Sequence, residues 1–235
     1  MGAMRGALIV VVRRCRWMLL IATLPMLGAL GGCASPAQDS EVIGGYVAVH
    51  AVAATSVSAS FQVVAVACDG QRSRTSQTVH LGLNFFSASL YYLCLADGTL
   101  KYAAEARTGP FDATFAAQDA AVGDDMRVSV TFNADSTVGV STVRNVTRGW
   151  TVTKRSEEAG LTELAYVGTV PVEGYALTES APMVYRDVRV NGQPLGQADL
   201  RELRRVRLTD AFGVVRMVPS AVTNDDRFTN TWRHT

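Results

Sequence analysis

Apolar and polar residues alternate along most of the chain from Glu41 onward, with a period of two residues. Such alternation is typical of half-buried β-strands, because successive side chains of a strand point to opposite faces of the sheet. The pattern is clearest at 55–64, 127–133, 138–144 and 184–190. It predicts an all-β domain.

Short clusters of glycine, asparagine, aspartate and serine separate these segments and predict tight turns. They lie at 97–98, 123–125, 133–136, 191–192 and 223–226. The pair at 191–192 is Asn-Gly, which predicts a two-residue hairpin because both residue types tolerate positive φ angles. Many short strands separated by such turns are typical of an antiparallel sandwich or barrel.

One segment, Gln197 to Arg205, has a helical interpretation because Leu200 and Leu203 would share a helix face. An equally good interpretation is a strand that continues through residues 206–208. The sequence therefore predicts at most one short helix. Four arginines of this region are consistent with an anion site or, preferably, with a solvated face: Arg201, Arg204, Arg205 and Arg207.

The first 32 residues differ from the rest, because they carry four arginines, no acidic residue and a long apolar run. This run, from Trp17 to Leu30, has the length of the hydrophobic region of a signal peptide. It ends in Leu-Gly-Gly-Cys33, which resembles the lipobox of bacterial lipoproteins, where cleavage before the cysteine leaves its thiol acylated. A buried N-terminal helix and an uncleaved membrane anchor are alternatives, but Pro25 and five glycines fit a cleaved segment better.

The lipobox resemblance divides the chain into three parts. It implies a signal peptide at 1–32 and a lipidated cysteine with its tether at 33–41, and the strand pattern assigns 42–235 to a single β-sandwich domain. We therefore expect a protein anchored by its lipid to the bacterial cell envelope. Ala34, rather than an aspartate, follows the cysteine, which favours the periplasmic side of the outer membrane in an organism with two membranes.

Composition excludes several function classes. Removal of residues 1–32 takes four of the 22 basic residues and leaves 18 against 21 acidic ones, a formal charge of −3. A chain with so little positive charge is not expected to bind nucleic acid. Three histidines and four cysteines in the whole chain disfavour a zinc site, and no metal or cofactor is predicted.

Two cysteines, Cys68 and Cys94, remain after export. In an oxidising compartment they can form a disulfide, which would stabilise the fold by about 3 kcal/mol in the chain-entropy model. The alternative is two separate cysteines buried in strands.

Generic catalytic motifs are missing from the sequence: it has no Gly-x-Ser-x-Gly, His-Glu-x-x-His or Cys-x-x-Cys pattern and no phosphate-binding glycine loop. A set of segments, in the right order, instead resembles the glutamic peptidases (eqolisins, peptidase family G1). They are 44–47 with 55–63, 78–83, 97–103, 123–130, 145–149 and 219–232. The resemblance implies a concanavalin A-like jelly roll of two bent antiparallel sheets, each of about seven strands, with a substrate groove across the concave sheet.

Glutamic peptidases use a glutamate as general base and a glutamine that helps to hold the oxyanion. The resemblance places Tyr92 at the glutamine position and Thr169 at the glutamate position. A register shifted by two residues places Val167 at the catalytic position and Glu163 at an earlier, non-catalytic glutamate. Neither register supplies a base. Valine has no group that accepts a proton, and the proton affinity of the threonine hydroxyl is not matched to the operating pH.

The same resemblance predicts a groove lined by His80, Asn84, Tyr92, Tyr166 and Thr169. Aromatic rings with amide and hydroxyl partners suit a polar ligand in a shallow cleft. A displaced carboxylate, Glu105 or Glu173, is the remaining route to catalysis, if either enters the groove from an adjacent strand.

Three functions are consistent with these features. The first is a lipid-anchored pseudoenzyme that binds a peptide, protein or glycan in the old groove. The second is an active acid endopeptidase that uses the displaced carboxylate. The third is a structural envelope lipoprotein with a filled concave face, whose edge strands pair with partners.

Overall fold

The all-β prediction is confirmed in the computed structural model, which contains strands and no helix in the part of the chain that it describes. The described residues are 37–233, without 51–52, 83–85, 158–159, 161 and 173–174. The strands are β1 (Gln38–Ser40), β2 (Gly44–His50), β3 (Ser56–Gln62), β4 (Ser73–Leu81), β5 (Phe86–Cys94), β6 (Leu100–Arg107), β7 (Ala113–Gln118), β8 (Asp125–Phe132), β9 (Gly139–Asn145), β10 (Thr151–Ser156), β11 (Leu164–Pro171), β12 (Met183–Val190), β13 (Gln193–Pro194), β14 (Leu200–Thr209), β15 (Val215–Pro219) and β16 (Phe228–Trp232).

Fourteen of these strands form one antiparallel hydrogen-bonded path that folds into two facing layers. Sheet A has the strand order β14-β2-β11-β4-β5-β6-β7, and sheet B the order β10-β9-β8-β3-β12-β16-β15. The β14–β15 hairpin joins the two layers, and β5 of sheet A packs on β8 and β9 of sheet B. The expected two-sheet sandwich is thereby confirmed, with seven strands in each layer.

The core lies between the two sheets. Val79, Leu90 and Ala104 of sheet A and Val128 and Tyr185 of sheet B are each at most 1% exposed. Burying one large apolar side chain of this kind stabilises the fold by about 1.5–3 kcal/mol. Because side chains alternate along a strand, each strand of sheet A has an inner face toward this core and an outer face away from it.

The hairpin predicted at Asn191-Gly192 is confirmed. Both residues have positive φ, 51° and 77°, and they connect β12 to the short strand β13. The side-chain oxygen of Asn191 also accepts hydrogen bonds from the backbone N–H groups of Thr55 and Ser56. The turn is therefore fixed to the start of β3.

The helical interpretation of 197–205 is wrong, and its strand alternative is right. Residues 200–209 form β14, which pairs with β2 along its length. A β-bulge between Leu200 and Glu202 inserts one extra residue into this strand. The bulge brings Leu200 and Leu203 to the same face, where both pack against the core, and so produces the spacing that resembled a helix.

Part of the segment expected to be a tether belongs to the fold. Residues 38–40 form β1, which pairs in parallel with 206–208 of β14. Arg207 donates two hydrogen bonds to Asp39, at 2.6 and 2.9 Å, and fixes the segment there. Two other arginines of this region also form ion pairs: Arg201 with Glu163 and Arg204 with Glu202. Such pairs between exposed side chains are typical of a solvated face.

Cys68 and Cys94 form a disulfide in the structure. It connects the segment before β4 to the last residue of β5, across 26 positions of the chain.

The predicted signal peptide and Cys33 lie outside the described residues. Within the described part, no helix has the length and apolar character needed to cross a membrane.

Candidate binding site on the outer face of sheet A

A row of directly paired residues crosses the outer face of sheet A, one residue from each of six strands. From β2 to β7 this central row contains Gly45, Gly168, Thr78, Ser89, Glu105 and Phe115. The glycines are required by close backbone approach, since a Cβ at either would lie 2.2 Å from a carbonyl oxygen of the neighbouring strand. Thr78 and Ser89, at most 2% exposed, share a hydrogen bond of 2.6 Å. The middle of the row is therefore a buried floor of small side chains.

His80 and Tyr166 lie side by side next to this floor, on the outer face of sheet A. Their ring centroids are 5.4 Å apart, and the Tyr166 hydroxyl donates to the carbonyl of Thr169 at 3.1 Å. Loss of hydration, together with the smaller effect of the positive charge of Arg107, lowers the pKa of His80 to about 4. The imidazole is therefore neutral at neutral pH. Burial raises the pKa of Tyr166 well above 10.

Glu105 is the carboxylate of the central row, and it is held on both oxygens. Arg107 donates from Nε to Oε1 at 3.1 Å and from Nη2 to Oε2 at 3.0 Å, while the Tyr91 hydroxyl donates to Oε1 at 3.2 Å. The Glu105 side chain is only 8% exposed. Its hydrogen bonds raise the pKa of Arg107, and burial together with the Glu105 charge raises the pKa of Tyr91.

This arrangement limits the chemistry of Glu105. A general base needs a carboxylate oxygen that can accept a proton from a water beside the substrate. Both oxygens of Glu105 are occupied by donors, and those donors are a guanidinium and a phenol rather than a side-chain amide. The other displaced carboxylate considered from the sequence, Glu173, lies outside the described residues, as does Asn84.

Thr169 and Tyr92 do not share a face with His80 and Tyr166, although all four were expected to line one groove, because the structure places Thr169 and Tyr92 on the inner face of sheet A. Thr169 donates from Oγ1 to Oε1 of Gln77 at 2.8 Å and accepts from Nδ2 of Asn230 at 3.2 Å. Tyr92 is fully buried against Tyr102, at a centroid distance of 5.5 Å.

The alternation of side chains explains this placement. Moving a strand by one residue exchanges its two faces, so an alignment offset of one reverses the predicted side. The residues flanking Tyr92 and Thr169 occupy the outer face instead, and none carries a carboxylate or an amide: Tyr91, Leu93, Gly168 and Val170.

Sequence reasoning missed three side chains of the outer face: Arg74, Tyr91 and Arg107. A Glu-x-Arg pattern within one strand places both charges on the same face, and this spacing was a usable signal for Arg107. Nothing comparable marks Arg74, whose guanidinium carbon lies 4.4 Å from the ring centroid of Tyr91.

A cavity of about 950 Å³ lies at the end of sheet A where β4 begins and β11 ends. Its wall includes Ser73, Pro171 and Tyr175. Tyr175 also contacts Arg74, with the guanidinium carbon 5.9 Å from its ring centroid, so the cavity adjoins the outer face at this residue. Within the described residues, no group of three or more His, Cys, Asp or Glu side chains could hold a metal ion.

Solved structures of eqolisins have a similar fold. The scytalido-glutamic peptidase with a peptide-based transition state analog is 17% identical, with a TM-score of 0.64. SCP-B, an eqolisin in complex with the tripeptide Ala-Ile-His, is 16% identical, also with a TM-score of 0.64. In both cases the similarity covers 82% of this chain and 98% of the other.

No curated protein sequence matches the chain significantly. The family model of the peptidase A4 family does match, over residues 41–167, which is more than half of the chain. The chain therefore belongs to the peptidase A4 family, the eqolisins or glutamic peptidases.

Proposed function

We propose that this protein binds polypeptide segments on the outer face of sheet A without hydrolysing them, while a lipid on Cys33 tethers it to the cell envelope. The observation that carries the proposal is the state of Glu105. It is the carboxylate of the central row, and Arg107 and Tyr91 occupy both of its oxygens. A carboxylate that already accepts three hydrogen bonds from a guanidinium and a phenol is poorly placed to take a proton from water.

The surface around Glu105 supports a binding role. Half-buried His80, Tyr166, Tyr91 and Arg74 surround the floor of small residues, and Phe115 stands at its end with 49% of its surface exposed. Such side chains offer rings and polar groups to a ligand in an extended conformation. A polypeptide is the favoured ligand because SCP-B, which shares the fold, was solved with a tripeptide.

The binding proposal can be tested with fluorescein-labelled, denatured casein and the full chain in detergent, by fluorescence anisotropy. We expect binding that Phe115→Ala weakens by about fivefold to tenfold, since exposed aromatic anchors often contribute more than 1 kcal/mol. Phe111→Ala is the matched control, because Phe111 is fully exposed in the turn after β6. A polypeptide site at this face would be contradicted if Phe115→Ala binds casein as tightly as the wild type. It would also be contradicted if the chain binds oligosaccharides instead of casein.

The tether has its own test. In a lipoprotein-processing host, the wild-type chain is expected to fractionate with membranes and to incorporate labelled palmitate. Cys33→Ser is expected to lose the label and to leave the membrane fraction, because one thiol carries the modification. A Cys33→Ser variant that still fractionates with membranes would overturn the lipid anchor, without bearing on the binding face.

A purely structural lipoprotein is the second candidate. One observation favours it: the middle of the central row is almost completely buried, so that the outer face is partly filled. This role predicts that neither casein nor oligosaccharides bind, and that envelope proteins pair with an edge strand such as β7 or β10.

A further inference from the structure

Arg74 lies among aromatic rings on the outer face of sheet A. Its side chain leaves β4 on the outer face, and three aromatic rings surround its guanidinium group. The guanidinium carbon lies 4.4 Å from the ring centroid of Tyr91, 5.2 Å from that of Phe115 and 5.9 Å from that of Tyr175. The rings of Tyr91 and Phe115 are themselves 5.6 Å apart.

The rings fix the direction of the guanidinium group. Contact with aromatic faces is favourable for a planar cation, and three rings restrict the rotamers of a long side chain. Because Phe115 belongs to the central row, the guanidinium group reaches the β7 end of that row. Tyr175 places it beside the cavity at the end of the sheet.

Arg74 nevertheless has no anionic partner within the described part of the chain. It takes part in none of the ion pairs there, and its Nε is buried without a hydrogen-bond partner. Its neighbour Arg107 differs, since Glu105 neutralises it through two hydrogen bonds. A cation that has lost part of its hydration and has no counter-charge gains strongly from binding an anion.

We propose that Arg74, held by Tyr91, Phe115 and Tyr175, binds a carboxylate of the polypeptide that lies on the outer face. Arginine suits this ligand, because its planar fork of N–H donors matches the two oxygens of a carboxylate. The carboxylate is the C-terminus of the peptide or an Asp or Glu side chain. This inference rests on the proposed function and adds to it a preference for one end, or one residue type, of the ligand.

The test uses the full chain, immobilised from detergent, and three synthetic hexapeptide libraries. The first library has free C-terminal carboxylates and no Asp or Glu. The second is identical but C-terminally amidated, and the third is amidated and contains Asp and Glu. Retention of the first library over the second identifies the C-terminus as the ligand, and retention of the third over the second identifies an acidic side chain.

Arg74→Gln is expected to remove this preference, with a loss of at least about tenfold in retention of the carboxylate library. Arg74→Lys keeps the charge without the planar fork, and an intermediate loss is expected even if Arg74→Gln folds poorly. Arg144→Gln is the matched control, because Arg144 is an exposed arginine on β9 of sheet B. Thermal unfolding of each variant separates loss of binding from loss of fold.

The outcomes separate the two proposals. Retention of all three libraries to the same extent, or a carboxylate preference that persists in Arg74→Gln and Arg74→Lys, would overturn the Arg74 site and leave the polypeptide site intact. If the wild-type chain retains none of the libraries, the proposed function itself fails.

Discussion

The hydroxyl of Thr169 donates a 2.8 Å hydrogen bond to Oε1 of Gln77, and both side chains lie on the inner face of sheet A. The hydroxyl of Tyr185, from sheet B, donates to the same oxygen. Asn230 adds hydrogen bonds to Thr169 and to the carbonyl of Gly44. A polar network between the two sheets therefore occupies the position where the alignment had expected a catalytic residue.

Replacing Gln77 with leucine is expected to destabilise the fold by about 3 kcal/mol, because two buried hydroxyls lose their shared acceptor. Urea unfolding measures the effect. Gln62→Leu, at the exposed end of β3, is the control and should change the free energy of unfolding by less than about 0.5 kcal/mol. Casein binding by folded Gln77→Leu should equal that of the wild type. A selective loss of binding with unchanged stability would place Gln77 in the binding face instead.

The pair of Glu105 and Arg107 should behave as a buried ion pair. Arg107→Met leaves the carboxylate buried without its counter-charge and is expected to cost about 3 kcal/mol in unfolding free energy. Adding Glu105→Gln to this variant should restore part of the loss, since the uncompensated charge is gone. Arg144→Met, an exposed arginine on the other sheet, is the control. Additive effects of the two substitutions would show that the pair is not coupled.

Much of the fold could be predicted from the sequence, because its physical cause is local. Alternation in 127–133 and 138–144 corresponds to β8 and β9, and the Asn191-Gly192 turn follows from the φ angles of its two residues. The segment at 200–209 was ambiguous for a local reason as well. Its bulge gives Leu200 and Leu203 a helix-like spacing, and only pairing with β2 decides for a strand.

The site was less predictable, because it depends on which face each residue occupies. His80 and Tyr166 lie side by side on the outer face of sheet A. Tyr92 and Thr169 lie on the opposite face, since strand alternation makes the assignment sensitive to an alignment offset of a single residue. The contacts of Arg74 involve rings from β5, β7 and the segment after β11. These segments are distant in the sequence, so no short stretch of it predicts that they meet around Arg74.

The disulfide between Cys68 and Cys94 should stabilise the chain mainly by restricting its unfolded state. In the chain-entropy model a separation of 26 residues corresponds to about 3.5 kcal/mol. A Cys68→Ser/Cys94→Ser variant is expected to lose about this amount in urea unfolding, and dithiothreitol should not destabilise it further. If dithiothreitol leaves the unfolding midpoint of the wild type unchanged, the disulfide does not contribute as expected.

His80 gives the fold a defined acid sensitivity. Its pKa is about 4 in the folded protein and near 6.5 when the ring is fully hydrated. Between these values the unfolded chain binds a proton that the folded chain does not, so stability falls as the pH is lowered from about 6.5 to 4. His80→Phe keeps a ring beside Tyr166 and removes the titration. The difference in unfolding free energy between variant and wild type should therefore change across this interval, and a pH-independent difference would contradict the lowered pKa.

Whether the outer face hydrolyses what it binds is the central question, and the mass of the bound polypeptide answers it most directly. Casein is incubated with the full chain at acidic and neutral pH, and its mass is then measured by mass spectrometry. We predict intact casein throughout, because Arg107 and Tyr91 hold both oxygens of Glu105. Fragments that disappear with Glu105→Gln, but persist with the exposed-carboxylate control Glu157→Gln, would contradict the account and identify an active peptidase.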